Sequence, residues 1–305
     1  MARIVPSADW QGARGNDSVC YPAAQMRSPS IRPSHRLDLH PPGDVFAMPG
    51  YRRVIRIEPG KSVVRSMLED DLHAMLVELR HEAGVVMSVA AFMDRAPWSP
   101  CPGAEKVLGD TFTGLPLTQV TARRDKQANC THLHDLAVLA ASHATDAGPS
   151  EYSIAASDPC GARRVLEIRR DGAVLHHWIE QEGVLTAPGA IAGQSLVTLR
   201  DWIAGLSGEE QEAARLLQWA ALVAHGRTLT EAEKHAALFH RPSCYTMQPE
   251  RAELARAKAP TQDFSQGPRP PLAGMAARFE ASRKEREPGE ESPAPSRRMG
   301  DERWK

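Results

Sequence analysis

The stretch Arg164-Val165-Leu166-Glu167-Ile168-Arg169-Arg170, then Asp171-Gly172, then Ala173 to Ile179 most limits what this chain can fold into. Asp-Gly suits the type I′ turn, whose two central residues take positive φ, and alternating runs flank it on both sides. This is a β-hairpin, so the fold must contain antiparallel sheet. A second strand group lies nearer the N-terminus. Val54-Ile55-Arg56-Ile57-Glu58 alternates as a half-buried strand does. Leu72 to Leu79 and Val85 to Phe92 read as two more strands, joined through His81-Glu82-Ala83-Gly84.

Between the two groups, Ala96-Pro97-Trp98-Ser99-Pro100-Cys101-Pro102-Gly103 must be a stiff loop, because its prolines remove backbone donors and fix φ. Leu117 to Lys126 reads as a turn-rich helix. From Thr131 to His143, Leu133, Leu136, Ala137, Leu139 and Ala140 recur at helical spacing, with Asn129 or Thr131 as N-cap. After the hairpin, Leu196 to Leu206 and Gly208 to Ala224 are amphipathic. Thr230-Glu231-Ala232-Glu233 is a capping-box pattern, and Pro249 opens a last helix, to Ala257. The order predicts an α+β fold: a mainly antiparallel sheet from two strand groups, packed with central and C-terminal helices.

Composition sets the boundaries. Residues 1–48 are rich in Ser, Pro, Arg and Gly, and residues 259–305 in Pro, Arg and Glu, so neither flank offers the apolar surface that offsets ordering entropy. Both are expected to be disordered, around a single folded α+β domain at 49–258. On the same ground Met26 or Met48 serves as well as Met1 for a start. The formal net charge of −1 gives no field to recruit nucleic acid or acidic lipid. No run approaches membrane-spanning length, and no secretory signal opens the chain. The five cysteines are an odd count, which argues against a disulfide framework. The expected setting is the cytoplasm, with free thiols.

Chemistry concentrates at Cys130-Thr131-His132-Leu133-His134-Asp135, where the helix begins. A thiol at a helix N-terminus is favoured as thiolate. Asp135, three residues after His132, is placed to orient that imidazole, while His134 points elsewhere, toward solvent. Cys101 in the rigid loop, His73 in its strand and Cys244 in the polar link Pro242 to Pro249 are the candidates to join them. Cys101, Cys130 and His132 with His73 or Cys244 would form a tetrahedral set for zinc or another divalent metal. A Cys130 thiolate nucleophile supported by His132 and Asp135, and a purely structural cluster of buried thiols and imidazoles, remain the alternatives. Glu69-Asp70-Asp71 reads as a solvated strand entry, and His176-His177 as structural strand residues.

Cys101-Pro102, Cys130-Thr131-His132-Leu133 and Cys244-Tyr245-Thr246 resemble a bacterial family known as domain of unknown function 2889. The resemblance runs from about Tyr51 to Ala257 and takes in Leu72-His73-Ala74-Met75 and Ala96-Pro97. It implies catabolism of aromatic or acyl compounds. Ala74 stands where the family pattern has an acidic residue beside His73, which weakens His73 as an oriented base. The expected function is a hydrolase- or lyase-type enzyme with a small-molecule substrate, using a Cys/His centre. The rival expectation is a non-catalytic binding or assembly protein.

Overall fold

The computed structural model describes residues 44–123, 126, 128–238, 244–258 and 261–286. In chain order its strands and helices are β1 (Gly50–Pro59), β2 (Val63–Asp70), β3 (Ala74–Glu82), β4 (Val85–Arg95), α1 (Ala104–Phe112), α2 (Leu117–Ala122), α3 (Thr131–Ser142), β5 (Ser150–Ser157), β6 (Arg163–Arg170), β7 (Ala173–Gln181), β8 (Val184–Ala187), α4 (Arg200–Ala204), α5 (Gly208–Ala224), α6 (Glu231–Ala237), α7 (Pro249–Ala252) and α8 (Met275–Arg286). The strands form one antiparallel sheet in the order β4-β3-β2-β1-β5-β6-β7-β8. Two four-strand meanders are therefore stitched together through β1 and β5, with Gly50 to Ile57 opposite Ser157 to Ser150. The α+β expectation with two strand groups is what the structure has.

Alternation of side chains along each strand decides the two faces. Tyr51, Arg53, Ile55 and Ile57 of β1 share one side with Val64 and Leu68 of β2 and with Met75, Val77 and Leu79 of β3. Helices cover that side: α3 lies over β1 to β3, and α5 over β5 to β7. The main core fills the space between, with Leu133, Leu136, Tyr152, Ile154, Leu166 and Leu217 buried in it. Ser66 Oγ donates to the Leu136 carbonyl at 2.7 Å, tying β2 to α3. At the other end of α3, His143 and Tyr152 both reach Glu212 Oε1 of α5, at 2.8 and 2.6 Å.

Asp171 and Gly172 have φ of 48° and 84°, the geometry a type I′ turn requires. The capping box also forms: Thr230 N–H donates to Glu233 Oε2 at 2.8 Å, and Glu233 N–H to Thr230 Oγ1 at 3.3 Å. Other boundaries differ from the expectation. Val63–Asp70 is a strand that the sequence reading passed over, and the strand expected at Leu72 begins at Ala74. The helices expected over Leu196 to Leu206 and Pro249 to Ala257 shrink to α4 and α7, and Cys130 rather than Asn129 or Thr131 is the N-cap of α3. Among the described residues, no helix is long and apolar enough to cross a membrane.

The largest departure is in the flanks. Residues 261–286, expected to lie off the fold, pack on the second face of the sheet over β2 to β4. Met275 and Phe279 of α8 are buried against Met67, Leu76 and Phe92, and the rings of Phe92 and Phe279 are 5.9 Å apart. Two aromatic or sulfur-containing anchors with flanking arginines suffice there, although the segment has low average hydrophobicity. At the N-terminal boundary, Val45–Ala47 forms a short turn, and the Arg52 guanidinium donates to the carbonyls of Val45, Phe46 and Met48. The remainder of both flanks, including Cys20 and Met26, lies outside the described residues. Replacing Phe279 with Ala is expected to cost about 3 kcal/mol in urea unfolding, as for a buried phenylalanine. A loss below about 0.5 kcal/mol, the level of ordinary surface substitutions, would show that α8 does not pack on the sheet.

Candidate functional site

Three consecutive carboxylates close β2, and none of them is solvated: Glu69, Asp70 and Asp71 are all buried. Period-two alternation and the turn after Asp70 send them in different directions. Asp70 continues the Val64–Ser66–Leu68 row and faces the helices. Glu69 faces the second side, where Arg269 grips it at 2.6 and 3.1 Å. Asp71 accepts from Arg227 Nη1, which follows α5, at 2.5 Å. Burial pushes the Asp71 carboxyl up to about 7 in spite of that arginine.

Asp70 is saturated with donors. Its Oδ2 accepts from Tyr51 Oη at 2.6 Å and from Arg53 Nε and Nη2 at 3.0 and 2.6 Å. Its Oδ1 accepts from the backbone N–H groups of Leu72 and His73, both at 2.7 Å, and stands 3.0 Å from His73 Nδ1. Burial alone would raise its pKa, but His73 and Arg53 beside it hold Asp70 well below the usual carboxylate range. At this distance Asp70 Oδ1 accepts from His73 Nδ1, which keeps a proton on that nitrogen and leaves Nε2 as the one outside the pairing.

His132, in the first turn of α3, completes the cluster. Its ring stacks on His73 with centroids 3.8 Å apart, and it packs on Trp219 of α5 at 4.8 Å. Arg53 Nη2 lies 3.2 Å from His132 Nε2 and the Arg53 guanidinium lies 4.3 Å over the Trp219 ring. Burial first, then the neighbouring His73 and Arg53, drive His132 well below its ordinary pKa, so it is a neutral imidazole. Among the described residues, Arg53 Nη1 is buried without a hydrogen-bond partner. The site thus draws on β1, the β2–β3 turn, α3 and α5.

Of the residues expected to form one centre, His73 and His132 come together, around Asp70. The cysteines belong to a separate neighbourhood. Cys101 is buried with its Sγ 3.2 Å from Thr246 Oγ1, and the backbone of Tyr245 donates to Asn129 at 2.8 Å, which brings Cys244 beside Cys130. Burial raises all three thiols, and together with negative charge on Cys101 or Cys244 it pushes Cys130 up to about 12. The helix N-terminus is outweighed there, so Cys130 is a protonated thiol rather than a thiolate. Among the described residues, the group whose ligand atoms all lie within 4.8 Å of one another is Asp70, His73 and His132, with no cysteine in it. Cys101, Cys130 and Cys244 are free thiols, and Cys20 lies outside the described residues.

Asp135 does not orient His132. It pairs with Lys126 at 2.6 Å and lies 3.8 Å from His134. His134, expected in solvent, is fully buried with neither ring nitrogen hydrogen-bonded, against the Phe112 ring at 5.1 Å. His73 is in the β2–β3 turn and not within a strand. The acidic residue that orients it is Asp70, three positions before it, so Ala74 takes nothing from its role. Arg53, Tyr51 and Trp219 were missed. Arg53 carries a signal in the sequence, as a charged residue in register with Tyr51, Ile55 and Ile57 on the apolar side of β1.

Two outcomes follow. Asp70→Asn would strand the Arg53 charge in the core, an expected loss of about 3–5 kcal/mol. Urea unfolding measures it, with Glu82→Gln as an exposed control near zero. The depressed His132 pKa makes the unfolded chain bind more protons below pH ~6.5, so stability is full above that value and falls as pH drops, by up to about 1.4 kcal/mol per unit for one proton. His132→Gln is expected to flatten that slope between pH 7.5 and 5.5. An unchanged slope would contradict the assignment.

Residues 58–146 match the model of a family described as proteins of unknown function, DUF2889. The matched segment holds Asp70, His73, Cys101, Cys130 and His132 and ends before Cys244 and Trp219. No curated protein and no solved structure matches the chain. The chain is DUF2889-like, and residues 58–146 are the part that carries the likeness.

Proposed function

We propose that the chain is a hydrolase- or lyase-type enzyme acting on a small organic molecule, with the Asp70–His73 pair as its acid–base centre. The observation that carries this reading is the 3.0 Å contact between Asp70 Oδ1 and His73 Nδ1, made by a carboxylate that five further donor contacts hold in place. A fixed carboxylate sets the tautomer of its histidine and stabilises the imidazolium formed when Nε2 takes a proton. Arg53 Nη1, buried and without a partner, is the donor available to a developing oxyanion. The neutral His132 ring limits how His73 can turn. Aromatic and acyl compounds, the class the family resemblance implies, are the first substrates to test, and the cytoplasm is the expected compartment.

A metal-centred version of the same residues has one observation in its favour, the approach of Asp70, His73 and His132 ligand atoms to within 4.8 Å. Against it, both Asp70 oxygens are already fully engaged as acceptors, and a guanidinium stands 3.2 Å from His132 Nε2. The donor set suits a proton better than a divalent cation. The rival non-catalytic reading rests on burial, since His73 and His132 are only 6% and 8% exposed. Turnover of a panel of aryl and acyl esters and thioesters separates the readings. His73→Gln is expected to keep the thermal stability of the parent and lose at least about 100-fold in rate. Equal rates in parent and variant, or a panel untouched while His73 resists carbethoxylation, would leave the cluster a structural one.

A further inference from the structure

On the side of the β2–β3 turn away from His132 there is a cavity of about 470 Å³. That size falls within the roughly 300–1,000 Å³ of small-molecule sites. Its charged lining is Glu69, Asp94, Arg95, Lys258, Arg269 and Arg278: four cations against two carboxylates, an excess of two positive charges. The cations differ in how far they are committed. Arg269 is spent on Glu69, which it grips with both Nη atoms. Arg95 is spent on backbone, donating to the carbonyls of Asp71, Asp70 and His73 at 2.8, 2.7 and 3.2 Å. Arg278 bonds Asp94 at 2.8 Å and the Ala273 carbonyl at 2.7 Å, while its Nη2 is held only weakly, by Met275 Sδ and Glu69 Oε1, each at 3.9 Å. Lys258 is exposed, and among the described residues its ammonium has no ion-pair partner.

We propose that this cavity binds a small molecule carrying a multivalent oxyanion, phosphate or clustered carboxylate, with Lys258 as its first ligand and Arg278 Nη2, held only by a weak thioether acceptor and a distant carboxylate, as its second. A concave site with low-dielectric walls concentrates the field of its excess charge, and ammonium and guanidinium groups both complement such oxygens. Surface lysines are usually solvated, but this one stands at the rim of a cavity whose own carboxylates are already neutralised by other arginines. The site is separate from Asp70–His73–His132, and its existence does not depend on catalysis there. Arg95 joins the two, because one guanidinium lines the cavity and holds the carbonyls of the turn that carries His73.

Calorimetric titration of the full chain with inorganic pyrophosphate and with citrate, at constant ionic strength, tests the proposal. Saturable binding of either probe, weakened at least about tenfold by Lys258→Glu, is the expected result; the probe that binds identifies phosphate or carboxylate as the recognised group. Lys258→Glu reverses a charge at an exposed position, so the variant is expected to unfold at the same temperature as the parent. Arg278→Ala is expected to weaken the same probe. Absence of saturable binding by both probes, or equal affinity in parent and Lys258→Glu, would overturn it.

Discussion

The end of β2 is where the constraints on this fold converge. Glu69, Asp70 and Asp71 are consecutive and buried, and an unpaired buried carboxylate is too costly to persist. Strand alternation points the first two to opposite sides of the sheet, so no single cation can serve them. Each is met by arginine from a different part of the chain: Arg53 from β1, Arg227 from beyond α5, and Arg269 from the C-terminal segment, with Arg95 from β4 binding the turn's carbonyls. Segments far apart in sequence are thereby fixed at one corner of the sheet. Buried ion pairs of this kind add little net stability over apolar packing, but breaking one is expensive, so they specify an arrangement more than they strengthen it.

That arrangement is what gives the site its chemistry. Asp70 keeps its charge because six donor contacts surround it, and His73 keeps its tautomer because Asp70 cannot turn. His132 stays neutral because it is buried between an imidazole and a guanidinium. The thiols lie in a different environment. Without a comparable cation, burial leaves them protonated, and position at the start of α3 is too weak to change that. A helix terminus contributes about 0.3–1 kcal/mol at an ordinary site, whereas raising a thiol from its usual 9.0 to about 12 corresponds to roughly 4 kcal/mol of net opposition, burial first and the neighbouring thiols after it.

Much of the fold is legible in the residues. The Asp171-Gly172 turn, the capping box at Thr230 and the apolar stripe of α3 are local signals, and local physics decides them. Strand β2 is harder to see because Arg65, Glu69 and Asp70 interrupt its apolar run and their partners lie as many as 215 positions away. The same holds for Asp70 as a site residue: three acidic side chains in a row look solvated until the arginines are placed around them. Helix α8 hides for the opposite reason, since Met275 and Phe279 are two anchors in an otherwise charged segment. His73 and His132 were visible as candidates, yet which carboxylate orients each was decided by tertiary contact. Sequence proximity favoured Asp135, and the lysine at 126 takes it instead.

A charged, buried Asp70 holds a proton of His73 on Nδ1, and the chemistry of the site depends on that contact. Nitrogen-15 NMR of the histidine side chains at neutral pH tests it most directly. His73 is expected to carry its proton on Nδ1 with Nε2 bare, His132 to be neutral, and Asp70→Asn to alter the His73 signal more than any other histidine's. A His73 that exchanges freely between both tautomers, or a spectrum unaltered by Asp70→Asn, would contradict it.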